Sequence, residues 1–244
     1  MTNFNKGIVY TFIGSFWWGV IGVLYFKYIS NVNPLEVVSH RVLWTIFFLF
    51  IYIIYKSRLN LILKIFKDKK KIILLFFSGI LIFINWSTWI YAVATERIID
   101  ASFGYFIMPI ISVLLGYIFF KEELNKKRLF SVLLVLVSII FLIIFSLKSL
   151  PWVGLIVAFS WAFYNLVRKK IKIDTDIGLL IESLYILPFA IFTFYLISKN
   201  GVNDFNLDNP GLSLLLLLAG PMTVIPLFLY VRGVEMIGLG PTGM

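Results

Sequence analysis

The chain alternates long apolar segments with short polar ones, and the apolar residues form continuous blocks rather than an alternating pattern. Eight such blocks have 18 to 23 residues each. A membrane hydrocarbon core of about 30 Å takes roughly 20 helical residues to cross. The pattern therefore predicts about eight membrane-spanning helices, over residues 7–26, 34–55, 72–94, 101–120, 129–147, 150–167, 177–197 and 211–231.

The composition predicts an all-α membrane protein. Hydrophobic residues make up 61% of the chain and charged residues 14%, whereas soluble domains carry about 25% charged residues. The spans of a β-barrel would be shorter and alternating. With no cysteine and a single histidine, His40, the chain offers neither thiolate chemistry nor a histidine metal cluster, so we expect no metal and no cofactor.

The positive charge is concentrated in alternate loops. If the N-terminus is cytoplasmic, the inner segments hold 17 Lys and Arg residues and the outer segments 4, which is the bias of the positive-inside rule. The net charge of +10 is therefore attributed to membrane orientation, and no nucleic-acid partner is expected. Residues 57–71 alternate Leu, Ile and Phe with Lys, which predicts an amphipathic segment on the inner surface of the lipid bilayer.

The sequence contains a weak internal repeat. A shift of 143 residues places Trp18 on Trp161 and Lys27 on Lys170, and a shift of 139 places Glu96 on Glu235. A repeat unit of five spans must begin from opposite sides of the membrane in its two copies, as in many secondary transporters. We therefore predict an inverted repeat, with residues 1–148 as the first unit and 149–244 as an incomplete second unit that ends at the start of a ninth span.

Several segments resemble a known family. FWWGVIGVLYFK and NPLEVVSHRVLW resemble the opening of EamA-type transporters of the drug/metabolite transporter superfamily, and Trp18, Gly19, Lys27 and Arg41 match its pattern. SFGYFIMPIISVLLGYIFFKEEL resembles the fourth helix of that family. SHRVLW, INW, ASFGYFIMP and NLVRKKI together resemble its RarD subfamily.

The resemblance implies a fold and a function. RarD proteins are chloramphenicol-sensitivity or chloramphenicol-resistance permeases of the bacterial inner membrane, with ten spans. The resemblance therefore implies a ten-helix bundle of which this chain holds eight spans and a stub.

Ionisable residues inside a membrane each require a reason, because one costs about 2.5–3.5 kcal/mol on insertion scales. Arg41 lies about 10 Å into its span at 1.5 Å per residue. It either contacts an anionic or polar substrate or is tied to Glu36 or to backbone carbonyls. His40 is a candidate proton relay or a packing residue. Glu182 could carry a coupling proton, or pair with Arg41 or His40.

Polar and amphipathic side chains complete the candidate substrate-binding set. An amide inside a span must find hydrogen bonds, so it contacts either a neighbouring helix or a substrate. Tryptophan and tyrosine supply amphipathic walls. The remaining candidates are Trp18, Asn85, Trp86, Tyr105 and Asn165.

The preferred function is a secondary transporter, or permease, that moves a small organic solute by alternating access. No phosphate-binding loop is present in the sequence. A membrane-embedded enzyme would need a Ser–His pair, a carboxylate dyad or a metal cluster in the spans, which one histidine and scattered acids do not favour. A non-transporting fragment is the third interpretation. Substrate, direction, coupling ion and oligomeric state, including a possible homodimer, stay open.

Overall fold

The computed structural model describes residues 2–145 and 151–243. Within these ranges the chain is helical and contains no strand. The helices are α1 (Asn3–Tyr28), α2 (Pro34–Tyr55), α3 (Leu59–Phe66), α4 (Lys69–Ala94), α5 (Ile98–Phe120), α6 (Lys126–Phe145), α7 (Trp152–Ile171), α8 (Thr175–Lys199), α9 (Pro210–Ile237) and α10 (Leu239–Gly243).

Six of the described helices are long and apolar enough to cross a membrane, namely α1, α2, α4, α5, α8 and α9. The apolar part of α6 is shorter, Leu129–Phe141, and the last turn of α7 contains the three basic residues 168–170. The prediction of an all-α membrane protein is confirmed. The helices extend beyond most of the predicted spans because polar residues at the ends continue the helical turns.

Several helices begin where the sequence supplies a cap. The side chain of Asn33 accepts a hydrogen bond from a backbone N–H of the first turn of α2, and Pro34 follows it. Asp68 and Asn209 cap α4 and α9 in the same way. A polar side chain satisfies one of the N–H groups that the first turn leaves free, and proline at the first position needs no partner.

Helices α1 and α9 pack antiparallel at close range. Gly7 lies against Ile237, and Gly14 lies against the backbone of Tyr230. A Cβ at Gly14 would be 2.8 Å from the carbonyl oxygen of Pro226. Small residues let backbones approach in this way within membranes.

Helix α8 runs antiparallel to both of its chain neighbours. Thr175 at the start of α8 bonds Glu235 near the end of α9. The guanidinium of Arg168, near the end of α7, packs on Gly178 in the first turn of α8. Since α1 opposes α9, and α8 opposes both α9 and α7, α1 and α7 run in opposite directions.

The amphipathic segment predicted at 57–71 contains the short helix α3. The predicted boundary between the two repeat units, 148/149, lies outside the described residues, as does Lys148, one of the four predicted outer charges. Arg168 corrects the sequence interpretation, which ended the span at residue 167 and counted Arg168 among the 17 inner charges. The helix continues to Ile171, so Arg168 lies within α7 and is buried.

Candidate functional site

A cavity of about 700 Å³ lies along α1 and is lined also by residues of α4, α5, α7, α9 and α10. It follows α1 from Ile8 to Val23, which is about 22 Å at 1.5 Å per residue. This volume falls in the range of about 300–1,000 Å³ typical of small-molecule sites. The other lining residues are Thr11, Phe12, Ser15, Trp18, Gly19, Trp89, Ser102, Tyr105, Met108, Pro109, Trp161, Tyr230, Pro241 and Thr242.

A small recess of about 30 Å³ adjoins this cavity. Four aromatic residues line both spaces: Trp18, Trp89, Tyr105 and Trp161. The recess adds Gly22, Phe26, Arg41, Asn85 and Trp86. We call the larger space the aromatic cavity and the smaller one the Arg41 recess.

Arg41 is the charged centre of the recess. Its side chain is 3% exposed, and its guanidinium carbon lies 4.8 Å from the ring centroid of Phe26 and 4.7 Å from that of Trp86. Nε donates to the hydroxyl of Thr223 over 3.0 Å. Nη1 is buried and has no hydrogen-bond partner in the described protein. A cation held by ring faces and one neutral hydroxyl keeps donor capacity for a ligand.

The local backbone explains how α1 and α5 reach the cavity. Residues Trp17–Gly22 form a π-helical turn within α1, and such turns are frequent at functional sites. The turn supplies Trp18 and Gly19 to the aromatic cavity. In α5, Pro109 has no N–H, so the carbonyl of Tyr105 lacks its usual helical donor. Tyr105 and Pro109 both line the aromatic cavity.

Asn85 lies at the wall of the recess and holds α7 in place. Its Nδ2 donates to the carbonyl of Val157 and to the hydroxyl of Ser160, each over 3.1 Å.

Tyr105 is 43% exposed, and its ring centroid lies 5.9 Å from that of Trp89. Thus Arg41, Trp18, Asn85, Trp86 and Tyr105, five of the eight predicted site residues, lie around one space.

Glu182 lies in a separate buried cluster. Its carboxylate accepts hydrogen bonds from Ser78 (2.5 Å) and Tyr164 (3.2 Å). The guanidinium of Arg168 lies 3.6 Å away, and both charged side chains are almost fully buried. Glu182 therefore pairs with Arg168 rather than with Arg41 or His40. The nearest link to the cavity is the stack of Tyr164 on Trp161, with ring centroids 5.4 Å apart.

His40 belongs to a third group, between α2 and the loop after α8. Its Nδ1 accepts a hydrogen bond from Trp44 Nε1 over 3.1 Å, which places the proton of the neutral ring on Nε2. Its Nε2 lies 3.8 Å from Glu36. Glu36 in turn accepts from the backbone N–H groups of Asp204 and Phe205. His40 is therefore not in the lining of the aromatic cavity or the recess.

Asn165 is also placed away from the lining. Its Nδ2 donates to the carbonyl of Trp161 in its own helix over 2.9 Å, and its side chain is buried. Its Oδ1 has no partner in the described protein.

One carboxylate outside the spans joins three helices. Glu122, just after α5, accepts from Lys169 of α7 (2.6 Å) and from the backbone N–H groups of Leu239 and Gly240 at the start of α10. Partial burial raises the pKa of Glu122, but the hydrogen bond from Lys169, the two N–H groups and the Lys169 charge outweigh it, so the pKa lies below the ordinary value.

The predicted set of site residues did not include five residues around Arg41: Gly22, Phe26, Trp89, Trp161 and Thr223. Trp161 had a signal, because the 143-residue shift pairs it with Trp18. No sequence signal distinguished Phe26 and Trp89, since aromatic residues are frequent throughout the spans. Thr223 lies 182 positions from Arg41, and no local pattern connects the two.

The comparisons with known proteins agree with this architecture. The model of the EamA-like transporter family matches residues 5–144. The chain is 34% identical over 243 residues to "Uncharacterized transporter YojE" of Bacillus subtilis, covering 98% of this chain and 80% of that protein. It is 34% identical over 239 residues to "Protein RarD" of Salmonella typhi, covering 98% and 81%. Identity to "Protein RarD" of Escherichia coli is 32%, with coverage of 98% and 80%.

The helical bundle and these relatives together identify the protein as a membrane transporter of the drug/metabolite superfamily. The chain belongs to the EamA-like transporter family and, within it, to the RarD subfamily. The predicted resemblance is thereby confirmed.

Proposed function

We propose that this protein is a secondary transporter that carries a small organic solute through the aromatic cavity by alternating access. The observation that carries the proposal is the Arg41 recess, in which a buried cation with a free donor adjoins an aromatic cavity of about 700 Å³. Ionisable groups at such a depth are costly and mark substrate pathways in membrane proteins. In the proposed orientation, the N-terminus lies in the cytoplasm. The proposed location is the inner membrane of a bacterial cell.

The composition of the walls supports this proposal. Helices α1, α4 and α5 come from the predicted first unit, whereas Trp161 and Tyr230 come from α7 and α9 in the second. When a site lies between two repeats of opposite direction, rocking of one unit against the other can open the site to one side of the membrane and close it to the other.

The proposal is tested with one cysteine, because the chain has none of its own. Ser102 lines the aromatic cavity, and its hydroxyl donates to the carbonyl of Ile98 in the same helix. We expect the cysteine in Ser102→Cys to react with a membrane-impermeant thiol reagent added to either face of proteoliposomes that hold the protein in one orientation. The matched control is Leu207→Cys, which is fully outside the cavity and should react from one face. Reaction of the Ser102 cysteine from a single face would contradict alternating access.

A further inference from the structure

Arg41 is a buried cation that forms no ion pair with a carboxylate in the part of the chain that the structure describes. Among the described residues that line the aromatic cavity and the Arg41 recess, it is the only charged one. The carboxylates near the spans bond elsewhere: Glu36 to the loop after α8, Glu182 to Arg168 and Asp100 to Arg97. Arg168, the other deeply buried arginine, does have its acid. The contrast indicates that no carboxylate of the described residues compensates Arg41, which leaves that role to an anionic ligand.

The size of the recess limits how large the anionic group that contacts Arg41 can be. A water-sized site takes about 10–15 Å³ by this measure of volume, so a recess of about 30 Å³ accommodates two oxygen-sized atoms. Two oxygens in a plane are what a guanidinium recognises best, because its donors form a planar fork. One uncompensated positive charge is neutralised by one negative charge. These features favour a carboxylate over a dianionic phosphate.

The surroundings limit the rest of the ligand. Trp18, Trp89, Tyr105 and Trp161 stand between the recess and the aromatic cavity. Tryptophan and tyrosine rings favour flat apolar partners through offset and edge contacts. A ligand whose carboxylate reaches Arg41 must therefore place its body among these rings.

We infer that the site binds an organic monocarboxylate with an aromatic or flat apolar body, the carboxylate on Arg41 and the body in the aromatic cavity. This inference rests on the proposed function and names its substrate class. Phe26 and Trp86 hold the guanidinium from its faces, and Thr223 holds Nε. Nη1 makes no hydrogen bond in the described protein, so this donor is not used by the fold.

The test uses three matched probes on the purified full chain: N-benzoylglycine, which is an anion, its neutral primary amide, and the cation N-(2-aminoethyl)benzamide. Binding is measured by quenching of tryptophan fluorescence and by the rise in Tm that a ligand of the folded state produces. We expect the Kd of the anion to be at least tenfold lower than that of the amide, because a charge-assisted hydrogen bond is much stronger than a neutral one. The cation should bind more weakly than the amide.

Two variants assign the preference to Arg41. Arg41→Gln should lose at least tenfold in affinity for the anion while its affinity for the amide stays within about threefold. Arg41→Lys keeps the charge and should retain a preference for the anion. The Tm of each ligand-free variant identifies loss of fold. Equal binding of anion and amide by the wild type, preference for the cation, or no saturable binding of the anion would overturn the inference.

The outcomes separate this inference from the proposed function. A protein with a Ser102 cysteine accessible from both faces but without anion preference keeps the transport proposal and loses the substrate class. A protein that prefers the anion but exposes that cysteine to one face alone keeps the binding site and loses alternating access.

Discussion

Trp18 of α1 and Trp161 of α7 meet edge to face, with ring centroids 5.0 Å apart. The 143-residue shift of the predicted repeat pairs these same two residues, and their helices run in opposite directions. Equivalent residues of an inverted repeat meet where the pseudo-two-fold axis passes between them. We propose that this axis crosses the aromatic cavity, so that the two units present the same tryptophan to the solute from opposite sides.

The proposed orientation predicts which loops face the outside of the cell. Leu207, in the loop between α8 and α9, is 94% exposed, and a cysteine in its place should react with an impermeant maleimide on intact cells. Lys67, between α3 and α4, is also exposed, and Lys67→Cys should react only after lysis. The opposite labelling pattern would show that the N-terminus lies outside.

The Arg168–Glu182 pair is expected to stabilise the bundle. Removal of one partner from a buried ion pair typically costs about 3–5 kcal/mol, because the other charge is left uncompensated. Arg168→Gln and Glu182→Gln should therefore each lower the free energy of unfolding, and the double variant should lose less than the sum of the two. Additive losses would mean that the pair is not coupled. The affinity for N-benzoylglycine should stay unchanged in folded Glu182→Gln, and a large loss would return Glu182 to the binding site.

Glu122 is expected to make stability depend on pH. Because its pKa is lower in the folded state than the ordinary value of 4.5, it stabilises the fold above the unfolded pKa, and this contribution is lost as the pH falls through the folded pKa. The Tm of the wild type should exceed that of Glu122→Gln at pH 7, and the difference should shrink below about pH 4.5. Glu96→Gln, at an exposed position, is the control. A difference in Tm that does not change with pH would contradict the assignment.

Much of the fold could be predicted from the sequence, because lipid imposes simple constraints on a spanning helix. Apolar length located the helices, and the predicted span 34–55 has the same bounds as α2 in the structure. Hydropathy failed at the end of α7, where Arg168 continues the helix into the bundle. The buried Arg168 forms an ion pair with Glu182 of another helix, and a hydropathy window along one segment contains no information about that partner.

The site residues that could be predicted are those whose polarity differs from that of the apolar segment around them. Arg41, Asn85 and Tyr105 contrasted with their apolar surroundings, and the structure places them around one recess. Periodicity fixes the direction of a side chain relative to its own helix, but not the helix that faces it. His40 consequently meets Glu36 and the loop after α8, although it lies next to Arg41 in the chain.

The role of Arg41 in solute binding is tested most directly by Arg41→Gln, with counterflow of labelled N-benzoylglycine and thermal unfolding measured in one proteoliposome preparation. An uncompensated buried charge costs stability, so a group kept for the ligand should be dispensable for the fold. The account predicts that counterflow per folded molecule falls at least tenfold while Tm stays equal to that of the wild type or rises. Normal counterflow per folded molecule, or a fall in Tm with unchanged counterflow, would contradict it and assign Arg41 to packing.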